Sequence, residues 1–300
     1  MTTVESNNEQ SYLALGRLGK STWWRYVLGC LLIVASYIIG DELYYSALTA
    51  IAGGHLQFNR KTFEVSGIHP LIVFIATNIV FLVLMAGIWL TVRCILRRSF
   101  LSLITPNNKL SFQRIGFGIA VWGILDILVT LIGCLTSRQT LEFTLRLPEF
   151  LCFLPAVLLL TPLQCLGEEL YCRAYVLQGL SSVITNRWLL AAVSSILFTM
   201  PHLFSPFMMQ YWLVLGGYFF AIGILLAMVT IRTNSLEVAL GAHIGHNFFE
   251  LLLVRDQQFP IRTSTLFVAS LDRSFELGAS IVSTLVFYFL AVRFIRRNGT

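Results

Sequence analysis

Eight apolar stretches, each long enough or nearly so to cross a hydrocarbon core that takes roughly 20 helical residues, constrain this chain more than any other feature. They cover residues 23–40, 70–92, 115–135, 150–180, 188–204, 211–231, 235–254 and 277–295. In lipid every backbone N–H and C=O needs a partner within the protein, so such stretches fold as helices. The expected fold is an all-α polytopic membrane protein of about eight transmembrane helices in one bundle. The fourth stretch is too long for one flat crossing, and Pro155, Pro162 and Gly167 predict a kinked helix whose end leaves the bilayer. The fifth is short, with Pro201 near its end.

Composition agrees. Charged residues make up 12% of the chain and hydrophobic ones 56%, whereas soluble domains carry about a quarter charged residues. The net charge of +6 is read as loop lysines and arginines that set topology, and no nucleic-acid partner is implied. With a cytoplasmic N-terminus, thirteen of the 21 basic residues fall inside, seven fall in longer outer loops, and Arg173 remains within the membrane. Both termini are therefore expected in the cytoplasm. The outer group includes Arg60, Lys61 and Arg262, and Asp41, Glu42, Arg255 and Asp256 are expected at the interfaces. Six cysteines, at 30, 94, 134, 152, 165 and 172, lack CxxC or zinc-ribbon spacing and read as thiols without a disulfide framework. The first sixteen residues have no apolar core of their own, so no cleavable signal is expected. No internal repeat divides the chain: 1–300 reads as a single transmembrane domain, with a polar cytoplasmic tail over 1–22 and a motif-bearing segment over 163–247.

Within that segment, PLQCLGEELYCRAYVLQGL places Glu168, Glu169 and Arg173 in apolar surroundings. A carboxylate or guanidinium at bilayer depth costs about 2.5–3.5 kcal/mol on insertion scales, so three within six residues require partners and point to a function. Glu169 and Arg173, at i and i+4 with the acid first, share a helix face as a pair. Glu168 is turned about 100° away and is less easily neutralised by Arg173. Downstream, FTMPH carries His202 one turn after Phe198, and HIGHN carries His243 and Asn247 at i and i+4, flanked by His246. At 1.5 Å per residue His202 lies roughly 21 Å past Trp188, His243 roughly 12 Å past Ser235 and Glu168 roughly 18 Å from Leu180, depths that permit one intramembrane cavity.

GEELYCR, FTMPH and HIGHN, in that order, resemble the motifs EExxxR, FxxxH and HxxxN of the CPBP family of intramembrane proteases, the CAAX-prenyl endopeptidase and bacteriocin-processing or Abi group. The resemblance spans about 80 residues, from Glu168 to Asn247. It implies an intramembrane endopeptidase (a hydrolase) in which Glu168 and His202 activate the water that attacks the scissile carbonyl. His243 and Asn247 would donate hydrogen bonds to the developing oxyanion, and Glu169 with Arg173 would hold the helix and tune the site. The substrate it implies is a membrane-associated peptide or protein, prenylated or not. Such roles suit the physics, because fixed donors stabilise an oxyanion most where bulk water is absent. His246 is an addition to the family pattern.

Other readings compete. Buried Glu–Arg pairs tie helices together in proteins without catalysis, and for Glu169 and Arg173 that reading is preferred. His246 is read as an interhelical hydrogen-bonding residue with Glu250 one turn on. Asp126 stays open between proton relay, structural pairing and cavity lining. Two glutamates and three histidines suit zinc chemically, but no HExxH is present, so a metal-free mechanism without a cofactor is expected. A proton- or ion-coupled transporter would show paired broken helices in two related halves, and none is visible. A non-catalytic membrane immunity or interaction protein is the third class. Without organelle-targeting or retention signals, the expected location is a bacterial cytoplasmic membrane.

Overall fold

A computed structural model describes residues 11–53, 57–58, 65–107, 109–203, 212–258 and 263–298. The expected span ends at 204 and 211, the outer-loop residues Arg60, Lys61 and Arg262, and the tail before residue 11 lie outside the described residues. Among the described residues eight helical segments form the bundle. They are α1 (Trp23–Ala52), α2 (Pro70–Leu90), α3 (Phe112–Thr136), α4 (Leu147–Glu169), α5 (Arg187–Leu203), α6 (Trp212–Thr233), α7 (Glu237–Phe248) and α8 (Arg273–Asn298). Three run on through i→i+5 turns: α2 through Thr91–Ile95, α4 through Leu170–Val176 to Leu177–Leu180, and α7 through Phe249–Leu253.

Six of these helices are long and apolar enough to cross a membrane, and the shorter α5 and α7 are not among them. Loop contacts nevertheless carry α7 from one face to the other. On one face, Tyr12 N–H donates to Asn234 Oδ1, Lys20 N–H to the Leu96 carbonyl, Gln178 Nε2 to the Ser102 carbonyl, Ser181 Oγ to the Leu13 carbonyl and Leu236 N–H to the Ile104 carbonyl. The ends of α2, α4 and α6 therefore meet the N-terminal segment there. On the opposite face, β3 (Thr140–Phe143) pairs antiparallel with β5 (Phe267–Ser270), which pairs in parallel with β4 (Val254–Asp256). That sheet joins the α3–α4 and α7–α8 loops. A two-residue hairpin pair, β1 (Gln57–Phe58) with β2 (Val65–Ser66), lies in the α1–α2 loop.

Several boundaries differ from the sequence reading. α1 extends past Asp41 and Glu42 to Ala52, where Gly53 with φ +54° stops it in the left-handed conformation that glycine adopts without a Cβ penalty. Residues 12–17, read above as part of a tail, form a packed 3₁₀ turn with Tyr12 and Leu15 buried. Burial pushes the Tyr12 phenol well above its usual range, keeping it a neutral donor to the Leu103 carbonyl. Pro155 and Pro162 are accommodated inside α4, and the helix changes character only after Glu169.

The outer surface of the bundle is apolar, with Leu31, Ile38, Leu131, Leu159 and Phe289 exposed, as a lipid-facing surface requires. The inside is packed closely. α7 crosses α3 through the GxxxG pair Gly241 and Gly245, where an added Cβ would run into the carbonyl oxygens of Ile115 and Ile119. That backbone approach fixes how α7 is rotated, and α7 carries two of the candidate site residues, His243 and Asn247.

Candidate active site

The α-to-π change in α4 falls directly after the paired glutamates. Glu169 closes the α-helical part and Arg173 lies in the i→i+5 turns, a feature often found at functional sites. Their side chains are completely buried and meet with Arg173 Nη1 3.1 Å from Glu169 Oε1, as the spacing predicts. The guanidinium also lies over the Phe198 ring, 3.9 Å from its centroid, a contact worth about 2 kcal/mol when desolvated. An ion pair and an aromatic face are the partners of this arginine, whose Nε and Nη2 make no hydrogen bond among the described residues.

Glu169 holds a second partner. His243 Nδ1 lies 2.9 Å from the same Oε1, so the Nδ1 proton points at the carboxylate and the ring is oriented much as aspartate orients the histidine of a serine-protease triad. The other nitrogen, Nε2, faces Glu168 Oε2 at 3.8 Å, too far for a direct hydrogen bond. Glu168 Oε1 accepts from Gln164 Nε2 at 3.3 Å. Glu168 Oε2 is buried and has no hydrogen-bond partner among the described residues.

His202 completes the group from α5. Its Nδ1 lies 2.8 Å from the Phe198 carbonyl, which can only accept, so the proton sits on Nδ1 and the lone pair of the neutral ring is on Nε2. The ring stacks on Phe219 at 4.3 Å and tilts against Phe198 at 4.8 Å. Asn247 Nδ2 donates to Cys165 Sγ at 3.4 Å, which steers the amide toward α4. Glu168, His202, His243 and Asn247 line one cavity of about 250 Å³, while Glu169 and Arg173 stand behind its wall. The six predicted residues thus divide into four that face a shared space and two that support it.

His246 lines the same cavity, but its ring is held on the α3 side. Its Nδ1 lies 2.9 Å from Asp126 Oδ2 and its Nε2 3.1 Å from the Tyr218 hydroxyl, with Glu250 at 3.8 Å. The expected Glu250 contact is therefore the longest of the three, and Asp126 takes the pairing role. Among the described residues no group of three or more His, Cys, Asp and Glu side chains is arranged to hold a metal ion. His243 Nδ1 is engaged by Glu169, which leaves Nε2 as the ring nitrogen that faces Glu168. Gln164, Phe198, Phe219 and Cys165 were not singled out as site residues; Gln164, at i−4 from Glu168, was legible from helical spacing.

The fold and this arrangement define a class: a polytopic membrane protein with carboxylates, imidazoles and an amide around one cavity. Residues 150–249 match the type II CAAX prenyl endopeptidase Rce1-like family. The chain is also 32% identical, over 244 residues, to the uncharacterized protein YyaK of Bacillus subtilis (strain 168), a match covering 80% of each chain. It belongs to this CPBP-type family of membrane peptidases. No solved structure matches it.

Proposed function

We propose that the protein is an intramembrane endopeptidase that hydrolyses a peptide bond of a membrane-associated peptide or protein by a metal-free route. The observation that carries this reading is Glu168 Oε2, a buried carboxylate oxygen with no hydrogen-bond partner among the described residues, in a cavity it shares with His202, His243 and Asn247. A water held between Glu168 and His202 Nε2 gives its proton to the carboxylate as its oxygen attacks the carbonyl carbon. His243 and Asn247 donate to the oxyanion. His243 Nε2 donates when the ring carries both protons, a form whose charge Glu169 faces at Nδ1. Glu168 then returns its proton to the leaving nitrogen as the C–N bond breaks.

Purified protein incubated with matched prenylated and unprenylated peptides tests the reading directly. Cleavage of either, lost in Glu168→Gln, is the expected result. An uncleaved panel, or full activity in Glu168→Gln, overturns it.

A further inference from the structure

The cavity and the ends of the described chain, the turn at residues 12–17 and the end of α8 at Asn298, belong to opposite faces of the bundle. On the termini face the N-terminal turn and the loops after α2, α4 and α6 bind one another, and Tyr12, Leu103, Gln178 and Leu236 are each no more than 1% exposed. Arg98, 5% exposed, reaches from the α2–α3 loop to the Leu15 carbonyl and closes the same layer. His243 lies only six residues into α7 from this sealed face, roughly 9 Å along the helix axis. From there the lining runs the other way, through Phe74 near the start of α2, Val214 near the start of α6 and Leu251 near the end of α7. It continues to Asp256, Leu271 and Arg273, beside strands β4 and β5. Asp256 and Arg273 pair with each other there and remain 13% and 20% exposed.

We propose that substrate reaches Glu168 from the sheet-bearing face, and that, with the basic residues holding both termini in the cytoplasm, this face is extracytoplasmic. The substrates are then exported or externally presented polypeptides, and cytoplasmic chain ends do not enter. The substrate statement rests on the peptidase reading above; the access route does not.

Two measurements on the full chain in sealed membrane vesicles separate them. A charged, membrane-impermeant thiol reagent is applied to right-side-out and inverted vesicles carrying Leu271→Cys, Gln257→Cys or Arg17→Cys, with labelling read above that of the parent chain. The cysteines at 271 and 257 label in right-side-out vesicles and the one at 17 labels in inverted vesicles. Labelling of 271 and 17 from the same side, or of 271 only in inverted vesicles, overturns the proposal; Gln257→Cys, on an exposed turn, reports the same face if Leu271→Cys folds poorly. In the second arm a membrane-impermeant quenched peptide is cut by right-side-out vesicles and spared by inverted ones, and the reverse overturns the proposal. Correct labelling with no cleavage in either orientation defeats the peptidase reading and leaves the access route supported.

Discussion

Helix α7 carries two histidines three residues apart, and their surroundings differ in what is left over. His246 is bonded through both ring nitrogens, to Asp126 and to the Tyr218 hydroxyl, with Glu250 close by. His243 is bonded through one nitrogen only, and its other faces a carboxylate oxygen that has no partner among the described residues. Both lie in apolar surroundings where an unsatisfied polar group is costly. A saturated group gains stability from its position, whereas an unsatisfied one retains the capacity to bind something else. By that criterion Glu168 and the second nitrogen of His243 are open to a further partner, whereas the bonds of His246 are filled within the bundle.

Substitutions test that contrast, and the largest effect is expected at Glu168. Glu168→Gln keeps shape and removes the base, so peptide cleavage should fall by about 10²- to 10⁴-fold with an unchanged melting temperature in detergent. Parallel loss of melting temperature would move Glu168 to the structural side. Arg173→Ala leaves Glu169 buried without its counter-charge and should cost about 3–5 kcal/mol of stability, read as lower yield and earlier melting. A well-folded but inactive Arg173→Ala would instead show that the arginine acts in turnover. His243→Ala and Asn247→Ala should each slow cleavage by roughly 10²- to 10³-fold if they are oxyanion donors. His246→Ala should cost about 1–3 kcal/mol by leaving Asp126 unpaired, and cleavage per folded molecule should change little. Its inactivation without destabilisation would erase the distinction between the two histidines. Prolonged dialysis against a strong chelator should have the smallest effect, leaving activity in place; activity lost and then restored by zinc would reinstate a metal mechanism.

Local spacing made much of the α4–α7 side readable in advance. Glu169 with Arg173 and His243 with Asn247 are one helical turn apart, and so are Gln164 with Glu168, although that glutamine was passed over. The GAHIG run, a close-packing signal in lipid, was also present in the sequence and went unread. Other features had no local signal. Asp126 and His246 are 120 positions apart, and nothing in either segment marks the other as its partner. The Glu169–His243 hydrogen bond depends on how α7 is rotated against α4, which the glycine crossing with α3 sets. Strands β3, β4 and β5 are three or four residues long and adjoin much longer apolar runs, so their alternation was masked. α5 and α7 fall short of the length that crosses a membrane, and α7 is held at its start by the Leu236–Ile104 contact and at its far end by strand β4.

The π turns between Leu170 and Val176 make α4 tolerant of a change in chain length in a way its side chains do not reveal. Each i→i+5 closure accommodates one residue more than an α turn does. A chain shortened by one residue in this interval could regain ordinary α geometry while keeping every motif residue. The helix upstream would then keep nearly its present orientation relative to Leu177–Leu180, because the residue lost is the one the wider turn had absorbed, whereas a deletion in a regular α stretch would rotate it by roughly 100°. For this stretch of α4 the wider turns decouple the number of residues from the aim of Glu168, and the interval accommodates a change of length that the regular part of the helix would turn into a change of direction.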